Sequence, residues 1–157
     1  MNKKIIARIV LIIIIIINCI VIFNFSAEKS EKSDKTSGKV IEKIIELNPR
    51  TRSLSIEEKE KTKQKIITPV RKSAHFSIYL CLGFWTYLFF KTISFEEKTR
   101  ILSSLGFSFL YACTDEIHQV FVPGRAGEIR DVCIDTCGAL FGIIIIYAIS
   151  KLIKKKK

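Results

Sequence analysis

Apolar residues in this chain are gathered into four long blocks instead of being spread at the spacing of surface helices. The blocks cover residues 9–25, 74–90, 101–122 and 132–150. The first has no charged residue and meets the roughly 20 residues that a helix needs to cross about 30 Å of hydrocarbon. The second is slightly short, and polar residues interrupt the third and fourth. Because lipid admits only helices and closed barrels, and the sequence lacks the alternation of barrel strands, the pattern predicts an all-α integral membrane protein with four transmembrane helices.

The segment between the first two blocks is polar and charged. Ser26–Ser37 is rich in Ser and Lys and is predicted to be flexible. Apolar residues at helical spacing then predict a short amphipathic helix that ends at Asn48–Pro49. Ser55 and Glu58 form a capping box that begins a second, charged helix, and Thr68–Pro69 is predicted to stop or bend it. These helices are expected either to lie on the membrane surface or to cover a site as a lid.

The same pattern divides the chain into four parts. They are an N-terminal membrane anchor (1–25), an extracytoplasmic amphipathic helical segment (26–73), a three-helix membrane core (74–150) and a basic cytoplasmic tail (151–157). We expect the first block to remain as an anchor, because its apolar stretch is longer than that of a cleaved signal peptide.

Basic residues near both ends of the chain predict its orientation in the cell membrane. Cytoplasmic loops carry an excess of Lys and Arg, and an even number of spans returns the chain to the side where it began. Both termini are therefore predicted to be cytoplasmic, with 26–73 and the turn 123–130 facing outward. One observation opposes this orientation, because 26–73 contains more Lys and Arg than either terminus.

The net charge of +11 does not indicate nucleic-acid binding. Lys154–Lys157 follows directly on the last apolar block, where the headgroups of anionic membrane lipids are the expected partner. The five cysteines all lie inside apolar blocks, where a thiol behaves as a small hydrophobic group, and none has zinc-type spacing. No metal and no cofactor are predicted.

Polar residues of the last three blocks collect at one end of the membrane under this topology. They are Lys72, His75 and Tyr79 at the start of the second span, Asp115, Glu116 and Gln119 near the end of the third, and Asp131 and Asp135 at the start of the fourth. Helical spacing places each set on a narrow stripe. Stripes facing lipid would each cost several kcal/mol, whereas stripes that face one another can form hydrogen bonds around a small wet cavity.

The turn at Pro123–Gly124 carries Arg125 to the same end. We expect Arg125, and Arg130 beyond it, to pair with the carboxylates, since a bidentate guanidinium–carboxylate contact is the strong form of such pairing. The sequence therefore predicts a polar pocket beneath the outer headgroups. His118, which stands beside the stripe, is expected to be a packing residue.

Several of these residues resemble the motifs of the VanZ-like membrane proteins. The similar stretches are Arg71–Lys72–Ser–Ala–His75 with Tyr79, DEIHQVFVPGR at 115–125, Asp131 with Asp135, Gly138 with Gly142, and the Ser-rich FSAEKSEKSDKTSG after the first span. The resemblance covers nearly the whole chain. It implies a cell-envelope setting, because the family is named after a protein linked to low-level resistance to the glycopeptide teicoplanin. It does not imply a reaction. Asp135 departs from the pattern, since members often have Asn there.

Three kinds of function are open. The favoured one is binding or masking of a phosphate-bearing, lipid-linked cell-wall precursor, because Arg suits phosphate recognition. The ligand-binding candidates are Lys72, Tyr79, Gln119, Arg125, Asp131 and Asp135. The second is a membrane-embedded acid–base enzyme with His75 as base and Asp115 or Glu116 as acid. The third is a polar network that only packs helices, which the small-residue pattern of Gly138 and Gly142 also favours.

Overall fold

The computed structural model describes residues 3–93 and 95–155, and all regular secondary structure among them is α-helical. The helices are α1 (Lys3–Ala27), α2 (Ser30–Leu47), α3 (Pro49–Arg52), α4 (Ile56–Thr92), α5 (Glu97–Val120) and α6 (Ile129–Lys155). The all-α prediction is confirmed. Residues 1 and 2 of the predicted anchor and 156 and 157 of the basic tail lie outside the described residues.

Three of the helices, α1, α4 and α6, are long and apolar enough to cross a membrane. α5 has 24 residues and packs against all three, but a fourth transmembrane helix is not confirmed. The reason lies in its composition, because charged residues stand near both of its ends. Glu97, Lys98 and Arg100 occupy the first turn, and Asp115 and Glu116 stand near its C-terminal end.

The N-terminal end of α1 and the C-terminal end of α6 lie on the same side of the bundle. Near the start of α1, Arg8 Nη2 donates a hydrogen bond of 2.7 Å to the carbonyl oxygen of Thr92, at the end of α4. Near the end of α6, Ser150 Oγ accepts a hydrogen bond of 2.7 Å from Lys91 Nζ. The opposite side therefore holds the C-terminal ends of α1 and α5 and the start of α6, and we call it the cavity end.

α4 packs more extensively on α6 than on any other described helix. Glycines allow this contact, because a Cβ on Gly83, Gly138 or Gly142 would overlap a backbone carbonyl of the facing helix. The carbonyls belong to Ala139, Phe76 and Leu80, respectively. The packing role predicted for Gly138 and Gly142 is confirmed. The close approach also brings the neighbouring polar residues of the two helices together.

α2 and the first half of α4 form an antiparallel pair, which we call the α2–α4 hairpin. Asp34 Oδ1 lies 3.4 Å from Arg71 Nη1, and Glu42 Oε1 accepts a hydrogen bond of 2.5 Å from Lys63 Nζ. Ile41 of α2 is fully buried. These contacts hold the polar segment against the extension of α4.

The capping box of Ser55 and Glu58 is confirmed, whereas the flexibility predicted for Ser26–Ser37 is wrong. Most of Ser26–Ser37, predicted to be flexible, belongs to α1 and α2, because burial of Ser33 and ion pairing tie α2 to α4. Of the stop or bend predicted at Thr68–Pro69, the stop does not occur, since Pro69 lies inside α4. Packing on α2 before the proline and on α6 after it offsets the backbone hydrogen bond that proline cannot donate.

Candidate functional site

The polar residues near the end of α5 point into the bundle. Asp115, Glu116 and Gln119 are 5%, 6% and 6% exposed, as the spacing of the stripe predicts. The opposite face of the helix is apolar and accessible, with Leu110 at 64% and Ile117 at 62%. This distribution is the reverse of that in a helix on the surface of a water-soluble protein.

Asp115 accepts a hydrogen bond from Ser26, which is not among the site residues predicted from the sequence. Ser26 Oγ, in the last turns of α1, donates a hydrogen bond of 2.7 Å to Asp115 Oδ2. Gln119 Nε2 donates to the same oxygen at 3.2 Å. Ser26 is fully buried, so the contact fastens α1 to α5 within the protein interior.

Glu116 connects α5 to the start of α6. Its Oε2 accepts a hydrogen bond of 2.9 Å from the backbone N–H of Glu128, which immediately precedes α6. Its Oε1 accepts one of 2.7 Å from Gln119 Nε2. A carboxylate is stabilised at this position, because the N-terminus of a helix carries partial positive charge.

Arg125 does not make the bidentate contact with carboxylates that the sequence predicts. Its Nε and Nη2 donate to the backbone carbonyls of Glu28 and Phe25 at 2.9 and 3.0 Å, and its Nη1 donates to Gln119 Oε1 at 3.2 Å. The reason is the position of the α1 C-terminus, whose last carbonyls have no partner within the helix. Arg130, expected to join it, is exposed.

Burial lowers the pKa of the Arg125 guanidinium from its ordinary value, and the nearby charge of Arg71 lowers this pKa further. An arginine nevertheless stays charged in proteins. Arg125 is therefore a fixed positive group in the loop between α5 and α6.

The cationic residues of α4 at the cavity end are also paired. Lys72 Nζ donates hydrogen bonds to Asp131 Oδ1 and to Glu128 Oε2, the second at 3.2 Å. Arg71 contacts Asp34 of α2. These pairs connect α4 to α6 and to the hairpin at the more exposed edge of the site.

His75 and Asp135 face each other at the deeper part of the site. His75 Nδ1 lies 3.9 Å from Asp135 Oδ2, and Asp135 is 1% exposed. Tyr79, one turn from His75, is fully buried and packs with Ile22 and Leu82. The hydroxyl of Tyr79 and Oδ2 of Asp135 have no hydrogen-bond partner among the described residues.

These groups surround a cavity of about 200 Å³. Its lining consists of Arg71, Lys72, His75, Glu116, Gln119, Gly124, Arg125, Ala126, Glu128, Asp131, Ile134 and Asp135. Of the nine predicted site residues, seven line the cavity, whereas Asp115 and Tyr79 do not. The structure thus brings the predicted residues to one end of the bundle and adds Ser26, Arg71 and Glu128 to them.

His75, Asp115 and Asp135 could hold a metal ion, since each offers one ligand atom and these atoms lie within 4.8 Å of one another. No metal was predicted from the sequence, because it contains no convincing metal-ligand spacing. His118 lies outside this group. Its ring stacks on Phe23 with the centroids 4.5 Å apart, which agrees with the predicted packing role.

A family model described as VanZ/LLP1 matches residues 9–151. The matched range includes α1 from residue 9 onward and every residue that lines the cavity. No curated protein and no solved structure matches the chain.

Proposed function

Because the chain belongs to the VanZ/LLP1 family, we propose that it is a multi-pass protein of the cell membrane whose cavity binds the phosphate-bearing headgroup of a lipid-linked envelope precursor. The observation that carries the proposal is the cavity itself, which combines cationic side chains at its edge with carboxylates below them. Holding a precursor in this way would mask it from a glycopeptide such as teicoplanin without a chemical step.

The charges of the lining favour a headgroup with both phosphate and hydroxyl groups. The lining contains three cations, Arg71, Lys72 and Arg125, and four carboxylates, Glu116, Glu128, Asp131 and Asp135. A guanidinium matches the geometry of a phosphate, and ionised carboxylates accept hydrogen bonds from sugar hydroxyls. Free phosphate alone would meet an excess of negative charge, so a phosphate joined to a sugar fits the lining better.

The surroundings of the cavity suit a ligand with an apolar chain. Phe121 and Ile129, on either side of the loop between α5 and α6, are 79% and 85% exposed. Exposed Ile16, Ile17 and Ile20 extend an apolar surface along α1. A headgroup in the cavity could therefore keep its lipid tail against apolar helix surface within the bilayer.

We further propose that α5 is the fourth span and that both termini are cytoplasmic. α5 buries Asp115 and Glu116 and exposes Leu102, Phe109 and Leu110, which suits contact with lipid. Arg8 and Lys91 lie at the end of the bundle opposite the cavity, in agreement with an excess of basic residues on the cytoplasmic side. The cavity would then open near the outer headgroups.

Binding can be tested with purified protein in lipid nanodiscs. The ligands are a fluorescent polyprenyl lipid with a sugar-phosphate headgroup and the same lipid with a neutral hydroxyl headgroup. We expect tighter binding of the phosphate form, and Arg71→Gln and Lys72→Gln should each weaken it by about tenfold, because each removes a charged hydrogen-bond donor. Cells producing these variants should also tolerate less teicoplanin than cells producing the wild type.

Lys65→Gln is the matched control, since Lys65 lies on the same helix and is exposed but does not line the cavity. It should bind the phosphate lipid as the wild type does. Equal affinity for both lipids, or unchanged binding by both cavity variants, would contradict the proposal.

A second function, acid–base catalysis on the same lipid, is favoured by one observation. An imidazole and a carboxylate, those of His75 and Asp135, lie close together in a buried part of the site, as general acid–base chemistry requires. Mass spectrometry of the recovered lipid separates the two functions. An unchanged lipid supports binding, whereas a product that depends on His75 supports catalysis. If the wild type neither binds nor changes the lipid, the result would contradict both functions.

A further inference from the structure

The geometry points to a divalent-cation site at the base of the cavity, formed by His75, Asp115 and Asp135. The three residues come from α4, α5 and α6, and their ligand atoms lie within 4.8 Å of one another. Nitrogen and oxygen ligands lie about 2.0–2.2 Å from a bound Zn²⁺, so two of them are separated by at most about 4.4 Å. A small adjustment of side chains would therefore close the three ligands around one ion.

Asp135 gives an independent indication that the site takes a ligand. The residue is 1% exposed, and its Oδ2 accepts no hydrogen bond from the described part of the chain. The nearest basic group is His75 Nδ1, at 3.9 Å. Burial of a carboxylate without a partner is costly, and coordination to a cation would remove this cost.

The basic side chains of the cavity do not neutralise the carboxylates at its base. Lys72 pairs with Asp131 and Glu128, and Arg71 pairs with Asp34. Arg125 donates to two backbone carbonyls and to an amide oxygen. Within residues 3–93 and 95–155, Lys and Arg therefore form no ion pair with the three deepest carboxylates, which are Asp115, Glu116 and Asp135. A divalent cation would offset two of these negative charges.

The donor set indicates which class of cation fits. One imidazole with two carboxylates suits a first-row transition ion such as Zn²⁺ or Mn²⁺, whereas Ca²⁺ takes six to eight oxygen ligands. Three protein ligands leave a coordination position open for water or another ligand. Since His75 and Asp135 line the cavity, that position would face it. The site does not depend on the lipid ligand proposed above.

The test uses the full chain in detergent, stripped of metal with a chelator and titrated with Zn²⁺ or Mn²⁺ alone by calorimetry. We expect saturable binding of a single ion. His75→Gln and Asp135→Asn should raise Kd by on the order of 100-fold, because loss of even an outer partner of a metal ligand commonly costs 10–100-fold. Glu42→Gln, which removes a carboxylate of the hairpin that pairs with Lys63 outside the cluster, should bind as the wild type does.

Thermal unfolding gives a second measurement. Metal should raise Tm of the wild type and not that of Asp135→Asn, because only a bound ligand adds stability. Without metal, Asp135→Asn should be at least as stable as the wild type, since it replaces a buried carboxyl group whose Oδ2 has no hydrogen-bond partner among the described residues.

If Asp135→Asn does not fold, the proposal can still be tested with His75→Gln, because the visible spectrum of bound Co²⁺ reports on coordination by His75. The spectrum should change in His75→Gln. Absence of saturable binding to the wild type, wild-type affinity in both cluster variants, or a Co²⁺ spectrum unaffected by His75→Gln would each overturn the proposal.

Discussion

At the scale of single residues, the sequence predicts which groups are buried better than it predicts their partners. Asp115, Glu116 and Gln119 could be assigned to one buried stripe, because helical spacing is local. The bond from Ser26 to Asp115 joins residues 89 positions apart and depends on how α1 docks on α5. Arg125 was assigned to carboxylates by its charge, but the end of α1 offers it carbonyl oxygens at closer range.

Ser26→Ala tests the importance of the bond between α1 and α5. The substitution removes a hydrogen bond of 2.7 Å to a buried carboxylate, so we expect a loss of about 1–3 kcal/mol in the free energy of unfolding. Chemical or thermal unfolding in detergent measures it. Ser77→Ala is the control, because the Ser77 hydroxyl is exposed and donates only to Ser73 within its own helix. Equal stability of the two variants would contradict this role of Ser26.

At the scale of helices, the sequence predicts where α4 begins but not how far it extends. The capping box of Ser55 and Glu58 is visible in the sequence, since it involves adjacent turns. Pro69 is a local signal for a break, and it is overridden because both halves of α4 pack on neighbouring helices. Gly138 and Gly142 indicate helix packing in the sequence, but they do not identify α4 as the partner helix or single out Gly83 on it.

Gly142→Ala tests the close contact of α4 and α6. The added methyl group would overlap the carbonyl of Leu80, so we expect a destabilisation of about 1–3 kcal/mol. Gly106→Ala is the matched control, because a Cβ there meets nothing within 4 Å. That variant should be unchanged or more stable by about 0.5–1 kcal/mol, since alanine is the better helix former. A stable Gly142→Ala protein would show that the two backbones can separate without cost.

At the scale of the whole molecule, the four apolar blocks predicted the four helices that form the bundle. The chain order and the polar ends of the blocks were enough to predict that the candidate site lies at one end. The α2–α4 hairpin could not be predicted, because its pairing depends on ion pairs between residues such as Glu42 and Lys63, which are distant in sequence. The prediction of the side of the membrane on which the cavity lies depends on the distribution of basic residues.

Cysteine labelling tests that orientation and the fourth span together. The five native cysteines are free and would first be replaced. In intact cells, a membrane-impermeant maleimide should label Lys65→Cys in the hairpin and Ala126→Cys in the loop after α5, but not Lys98→Cys, which should react only after permeabilisation. The reverse pattern would place the cavity on the cytoplasmic side. Labelling of Lys98→Cys and Ala126→Cys from the same side would contradict a spanning α5.

The unbroken course of α4 has a mechanical consequence. Its 37 residues span about 55 Å, so about 25 Å of the helix extends beyond a hydrocarbon layer of about 30 Å. If α4 tilts as a rigid lever about its contact with Gly138, His75 lies beside the fulcrum and Ile56 lies about 30 Å away. A swing of about 10 Å at the tip would then move the helix axis at His75 by only about 0.5 Å. In such a motion the helix axis beside the cavity would move much less than the far end of the hairpin.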